Sequence, residues 1–255
     1  MKQIIPTCDS KTRFYSGNRN TFGLLPGPLE MGGTCPAATC GHGGCLGLEN
    51  GRQLPSCYVF RTINFRPAVG EVLRHNTELL MSVTGFRRQR LFAAEFIRFA
   101  ESWHQRRKRV GDVGKEPYYR IHWSGDCPDL AYACDLAQAM KSFDGQIKFW
   151  GYSRALFTVP VMAGLPNVTW YLSMDPVNEE ASVNFLRAVM PEVLDRNSVW
   201  KTNISFAYMS DTYPENPQLQ AMVHCPTDAG KQSTSGACSH CRQCLSGKPI
   251  WFKRK

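Results

Sequence analysis

Long apolar runs are missing from this chain: no stretch of about 18 consecutive apolar residues occurs, which excludes a membrane-spanning helix. The amino terminus, Met-Lys-Gln-Ile-Ile-Pro-Thr-Cys-Asp, lacks the apolar segment of an export signal, which predicts a cytoplasmic protein with no membrane partner. Acidic residues are also short, 21 against 30 Lys and Arg, and the resulting net charge of +9 favours contact with a polyanion. A composition that is 43% hydrophobic and only 20% charged excludes disorder, collagen and coiled coil. Its 255 residues suffice for one large domain or two small ones.

Cysteine, by contrast, is abundant. Eleven cysteines in a chain read as cytosolic do not suggest a disulfide framework, because thiols there stay reduced; regular spacing then suggests metal or an iron–sulfur cluster. Eight fall into two groups: Cys35, Cys40, Cys45 and Cys57, and then Cys225, Cys238, Cys241 and Cys244. The run Cys238-x-x-Cys241-x-x-Cys244 lets one turn aim three sulfurs at a point, the spacing of a [4Fe–4S] cubane, with Cys225 closing the set. Zinc is the alternative, although a zinc ribbon places two Cys-x-x-Cys knuckles on separate hairpins. The first group is looser, but its glycines let the backbone wrap an inorganic core, and His42 sits inside it as ligand or acid. Two clusters are therefore expected. His224 and His240 read as turn histidines, and Cys8, Cys127 and Cys134 as small buried hydrophobes.

Glycine and proline break residues 1 to 34 into irregular or edge structure. Helical periodicity begins after Pro67 with Val72, Leu73, Leu79, Leu80 and Val83, and a longer apolar stripe covers about 90 to 108. Strands are expected at 118–123, 146–152, 168–174 and 200–209. Between them come helices at 129–143, capped by Asp129, and 178–189, with a short segment at 156–163. Strand, helix, strand at this spacing implies parallel crossovers and an α/β sheet or barrel. Residues 1–215 are expected to form that domain, cysteine loop 35–57 included, and 216–255 a cysteine-rich basic extension.

Chemistry in such sheets sits at the carboxyl ends of the strands. Asp126, Ser153, Arg154 and Asp175 all fall there, which marks them as one candidate site, with Asp126, Arg154 and Asp175 as its reactive groups. Basic charge collects in two segments: eight Lys and Arg against two Glu between 87 and 109, and six with no acid between 231 and 255. With Trp251 and Phe252 interleaved, these read as a phosphate-tracking surface, and nucleic acid is the expected partner.

The order of motifs resembles the gene-product-eighty-eight type of bacteriophage proteins. The likeness runs through Phe22-Gly-Leu-Leu-Pro-Gly, Thr34-Cys-Pro-Ala-Ala-Thr-Cys, Cys57-Tyr-Val, Arg74-His-Asn-Thr-Glu-Leu, Arg120-Ile-His-Trp-Ser-Gly-Asp, Ile147-Lys-Phe-Trp-Gly-Tyr-Ser and Cys238-Ser-His-Cys-Arg-Gln-Cys, then Ile250-Trp-Phe. It implies a phage protein of the host cytoplasm and no particular activity. A wider similarity is to radical S-adenosylmethionine enzymes, through an early cysteine loop ending in Cys57-Tyr58. It implies a partial parallel (β/α) barrel with a carboxy-terminal cluster-binding extension. It also implies S-adenosylmethionine held by Ser124, Gly125, Asp126, Ser153 and Ser173. The cysteine spacing differs from that pattern, and Asp126 stands where Glu is usual. Two functions are weighed: an iron–sulfur enzyme acting on nucleic acid or nucleotide, and a metal-stabilised nucleic-acid-binding protein. A metal-free α/β domain with incidental thiols is the third.

Overall fold

The structure, a computed structural model, describes residues 2–7, 19–36, 47–49, 52–54, 58–110, 116–195, 202–219, 222–226 and 241–253. Strands β3 (Tyr118–Ile121), β4 (Lys148–Ser153), β5 (Val168–Met174) and β6 (Ile204–Ser210) follow one another in space as in sequence. Next to β6 lie β8 (Ile250–Lys253) and then β7 (Val223–His224), and all six strands run parallel. The sheet is open: its two outer strands, β3 and β7, do not pair. The expected parallel α/β architecture is thus present, as an open sheet; a radical S-adenosylmethionine fold is not shown. The region after 216 adds two strands to this sheet. A separate hairpin, β1 (Gly47–Glu49) with β2 (Arg52–Leu54), lies inside the cysteine loop.

Helices α4 (Leu130–Lys141), α5 (Thr158–Met162) and α6 (Glu179–Val189) make the crossovers. Their buried residues join α3 (Phe86–Val110) in one core against Tyr119, Ile121, Phe149, Trp170, Leu172, Met174, Phe206 and Tyr208. Residues alternate across a strand, so Tyr118, Trp150, Tyr152 and Tyr171 occupy the other face. Gly151 shares the core face, where a Cβ would come within 2.6 Å of the Trp170 ring, so only glycine lets β5 pack there. Asp129 caps α4 by accepting from the Tyr132 amide at 2.7 Å, as its place before the apolar run predicts. No helix among the described residues is long and apolar enough to cross a membrane.

Helices α1 (Tyr58–Phe65) and α2 (Pro67–Met81) precede α3. The motif Arg74-His-Asn-Thr-Glu-Leu lies on α2 and clasps the amino-terminal segment. Asn76 accepts from the Ile5 amide at 2.8 Å and donates to the carbonyls of Ile5 (3.0 Å) and Gly23 (3.1 Å). Thr77 accepts from the Leu25 amide at 2.8 Å. That segment bridges Thr21 to Arg120 on β3, at the edge of the sheet. Asn76→Ala should therefore lower stability by about 2–3 kcal/mol, since it leaves several buried backbone groups unpaired. Thermal denaturation reads this directly, and an unchanged melting temperature would show that the segment is held by other contacts.

Candidate functional site

At the end of β3 the chain turns through His122, whose φ of 48° lies in the left-handed region, and enters Ser124-Gly125-Asp126. His122 is buried; its Nε2 lies 2.8 Å from the Tyr132 hydroxyl, and burial pushes its pKa down to about 3, so the ring is neutral. Asp126 is buried as well. Its carboxylate accepts from the Ser153 hydroxyl at 2.6 Å and from the amides of Arg154 (2.8 Å) and Cys127 (2.7 Å). Burial raises its pKa to about 6 against the pull of these donors. The Ser153 hydroxyl in turn accepts from the Ala155 amide at 3.0 Å. Asp126 thus ties the end of β3 to the turn that follows β4.

That turn aims Arg154. Its Nη1 lies 2.7 Å from the Asp175 carboxylate, which follows β5. The other Asp175 oxygen accepts from the amides of Val177 (3.0 Å) and Asn178 (3.2 Å), ahead of α6. The Arg154 Nε is buried and has no hydrogen-bond partner among the described residues. One edge of the guanidinium is therefore fixed and a donor on it stays unused. The structure brings Asp126, Ser153, Arg154 and Asp175 together as one chain of hydrogen bonds across three strand ends.

The remaining expected cofactor residues are placed differently. The Ser124 hydroxyl donates to the Leu24 carbonyl at 2.9 Å. Gly125, at φ 74°, sits where a Cβ would lie 2.5 Å from the Thr34 hydroxyl and 2.8 Å from the Leu24 Cβ, so glycine here serves close packing of the amino-terminal segment. Ser173 gives its carbonyl to the Asn178 amide group at 3.0 Å. Sequence reasoning missed Glu179, at the start of α6. It accepts from the Tyr208 hydroxyl at 2.5 Å and from Asn216 at 2.9 Å, beside a cleft of about 370 Å³ that also touches Pro176, Asn184 and Arg187. The acidic pair Glu179-Glu180 following a strand end was its signal.

The iron–sulfur and metal-binding expectation is corrected. Among the described residues no group of three or more His, Cys, Asp or Glu is placed to hold a metal ion. Cys225, Cys241 and Cys244 border one small cavity of about 20 Å³, but Arg242 at φ 52° and the turn Gln243–Leu245 lay this segment along the sheet. The Cys244 sulfur there accepts from the Tyr152 hydroxyl at 3.0 Å. Cys35 is buried, and its amide bonds to the Gly27 carbonyl at 2.9 Å. Cys40, Cys45, Cys57, Cys238, His42 and His240 lie outside the described residues, as does Cys8. The His224 ring packs at a tilt of 38° against Trp251, with centroids 4.3 Å apart. Cys127 is buried as expected, whereas Cys134 is exposed.

Two of the eight cations of the basic segment on α3 are used inside the fold. Arg88 is buried against Asp135, and Arg98 bonds Glu95 and the Ile4 carbonyl. Arg87 and Arg90 are exposed near one end of α3, and Lys108 and Arg109 near the other. Of the second segment, Lys248 and Lys253 are exposed, while Lys231, Arg254 and Lys255 lie outside the described residues.

Comparison with known proteins agrees with the resemblance in the sequence. The family model described as Gene product 88 matches residues 7–247. The Gene 88 protein of Mycobacterium phage D29 is 27% identical over 241 residues, covering 91% of this chain and 85% of that relative. The Gene 88 protein of Mycobacterium phage L5 is 25% identical over 240 residues, with the same coverage of both. No solved structure matches.

Proposed function

Because the chain belongs to the Gene product 88 family, we propose that it is a phage protein that binds nucleic acid or nucleotides, taking a phosphate on Arg154 at the strand ends. The observation that carries this reading is the Arg154 guanidinium, anchored by Asp175 through Nη1 with a buried Nε left over. An unpaired buried N–H costs roughly 1–3 kcal/mol, which an incoming phosphate oxygen recovers. A planar guanidinium suits that oxygen pair better than any other side chain. Asp175 supports the arrangement without reaching Nε, since its second oxygen is satisfied by two amides.

In this reading Asp126 and Ser153 are positioning residues. They fix the backbone at Arg154 through its amide and do not touch the phosphate. The net charge of +9 draws the polyanion in, and the exposed Lys248 and Lys253 lie on the strand-bearing carboxy-terminal segment.

Titration with inorganic tripolyphosphate tests the site without assuming a base. Arg154→Gln should weaken binding by about tenfold or more, the value of one charge-assisted hydrogen bond. Arg154→Lys keeps the charge but loses the fork, so it should restore only part. Equal affinity for all three proteins would overturn the assignment.

A further inference from the structure

The sheet face away from the helices carries an aromatic ladder around a small core of its own: Tyr171, Ala207 and Ile250 are buried, with Tyr152 and Phe252 packed against them. From register, Arg120 pairs with Trp150, Tyr152 with Tyr171, and Met209 with Phe252. The carboxy-terminal segment covers part of this face, with the Tyr171 hydroxyl on the Gln243 carbonyl and Thr169 on the Leu245 carbonyl, each at 3.3 Å. Toward the carboxyl ends of the strands the described residues leave part of this face accessible. Tyr152 and Phe252 are half-buried there, their rings edge to face with centroids 5.9 Å apart, and Met209 beside Phe252 is 47% exposed.

Positive charge frames these rings. The Arg120 guanidinium lies over Trp150 at 5.1 Å and Tyr152 at 5.9 Å. Lys253 is exposed and follows Phe252, and Arg154 lies two residues beyond Tyr152 at the end of β4. Partly open aromatic faces flanked by cations are what an unpaired nucleobase and its backbone recognise, because each base has a stackable face only when it is out of the duplex. Duplex DNA hides those faces and offers only groove edges and phosphates.

We infer that the accessible end of this sheet face is a stacking platform for single-stranded nucleic acid, with Phe252, backed by Tyr152, receiving a base while Arg154 holds a phosphate. The inference rests on the phosphate reading above and adds the strand state of the ligand. Phe252 is the residue to change, since Tyr152 also serves Cys244.

The probes are a short fluorescein-labelled oligothymidylate, a duplex of equal length, and tripolyphosphate. The single strand should bind about tenfold tighter than the duplex. Phe252→Leu should lose about fivefold or more on the single strand, the stacking value of one base, and nothing on tripolyphosphate. Phe252→Trp restores an aromatic face and should bind the single strand like the native protein, which a merely structural role for the ring would not produce. Equal binding of duplex and single strand, or an indifferent Phe252→Leu, overturns the platform and leaves the Arg154 site standing. If the native protein binds no tripolyphosphate either, both readings fall.

Discussion

Arg88→Ala should destabilise the protein by about 3–5 kcal/mol, the cost of leaving a buried charge without its partner. Arg88 is 2% exposed and joins three helices. Its Nε donates to the carbonyls of Leu80 (2.9 Å), in the last turn of α2, and Val83 (2.8 Å), in the turn that follows it. Its Nη1 lies 3.3 Å from the Asp135 carboxylate on α4, and the guanidinium sits 5.2 Å from the Tyr132 ring centre. Asp135 also accepts from the Gly85 amide and from Gln89, which starts α3 in the right place. Truncating Arg88 leaves that carboxylate buried and strips the carbonyls of Leu80 and Val83 of their donor. In a chain of this size the melting temperature should fall on the order of 10 °C. Replacing both partners by apolar residues of similar shape should recover most of the loss. A fall below about 1 kcal/mol for Arg88→Ala would show that solvent reaches the pair.

The contribution of Glu95 to stability should also fall as pH rises toward neutrality. This residue is 1% exposed on α3, bonded to the Tyr119 hydroxyl at 2.9 Å and to Arg98. Burial nevertheless pushes its pKa from an ordinary 4.5 up to about 7, outweighing the Arg98 charge. The folded state therefore holds the proton more tightly than the unfolded chain. Its contribution is complete below pH 4.5 and disappears as pH climbs through about 7, amounting to about 3 kcal/mol. His122 has the opposite sign: its folded pKa of about 3 stabilises above 6.5 and is lost on acidification. Glu95→Gln isolates the first effect. Denaturant unfolding at a series of pH values should show native and variant stabilities diverging by about 3 kcal/mol between pH 4.5 and 7, with the native protein the loser as pH rises. Parallel curves would mean that Glu95 stays ionised in the fold.

Much of this fold is legible in the sequence where local signals are strong. The alternation of Val168–Met174 marks β5 from end to end, and Asp129 announces α4. Strand β8 escapes because Ile-Trp-Phe-Lys has no polar alternation and its partner β6 lies about forty residues upstream. Helix α1 escapes because helical periodicity is legible only after Pro67, beyond its end at Phe65.

The candidate site divides in the same way. The rule that chemistry gathers at strand ends selects Asp126, Ser153, Arg154 and Asp175 as a group. It does not reveal that Ser124 and Gly125, on the same turn, are engaged by Leu24 and Thr34, because that contact spans about a hundred residues. The cysteine spacing misled for a related reason. A Cys-x-x-Cys-x-x-Cys run fixes where sulfurs lie along a turn, and the fold decides what that turn faces; here Cys244 faces Tyr152. Likewise a tally of basic residues on α3 counts Arg88 and Arg98, both of which the fold uses internally.

One titration bears most directly on the central claim: oligothymidylate binding to the native protein and to Arg154→Gln across a range of salt concentrations. The account predicts that log affinity falls linearly with log salt and that the variant has both weaker binding and a shallower slope, by about one phosphate contact. Identical lines for the two proteins, or an affinity that salt does not change, would contradict it.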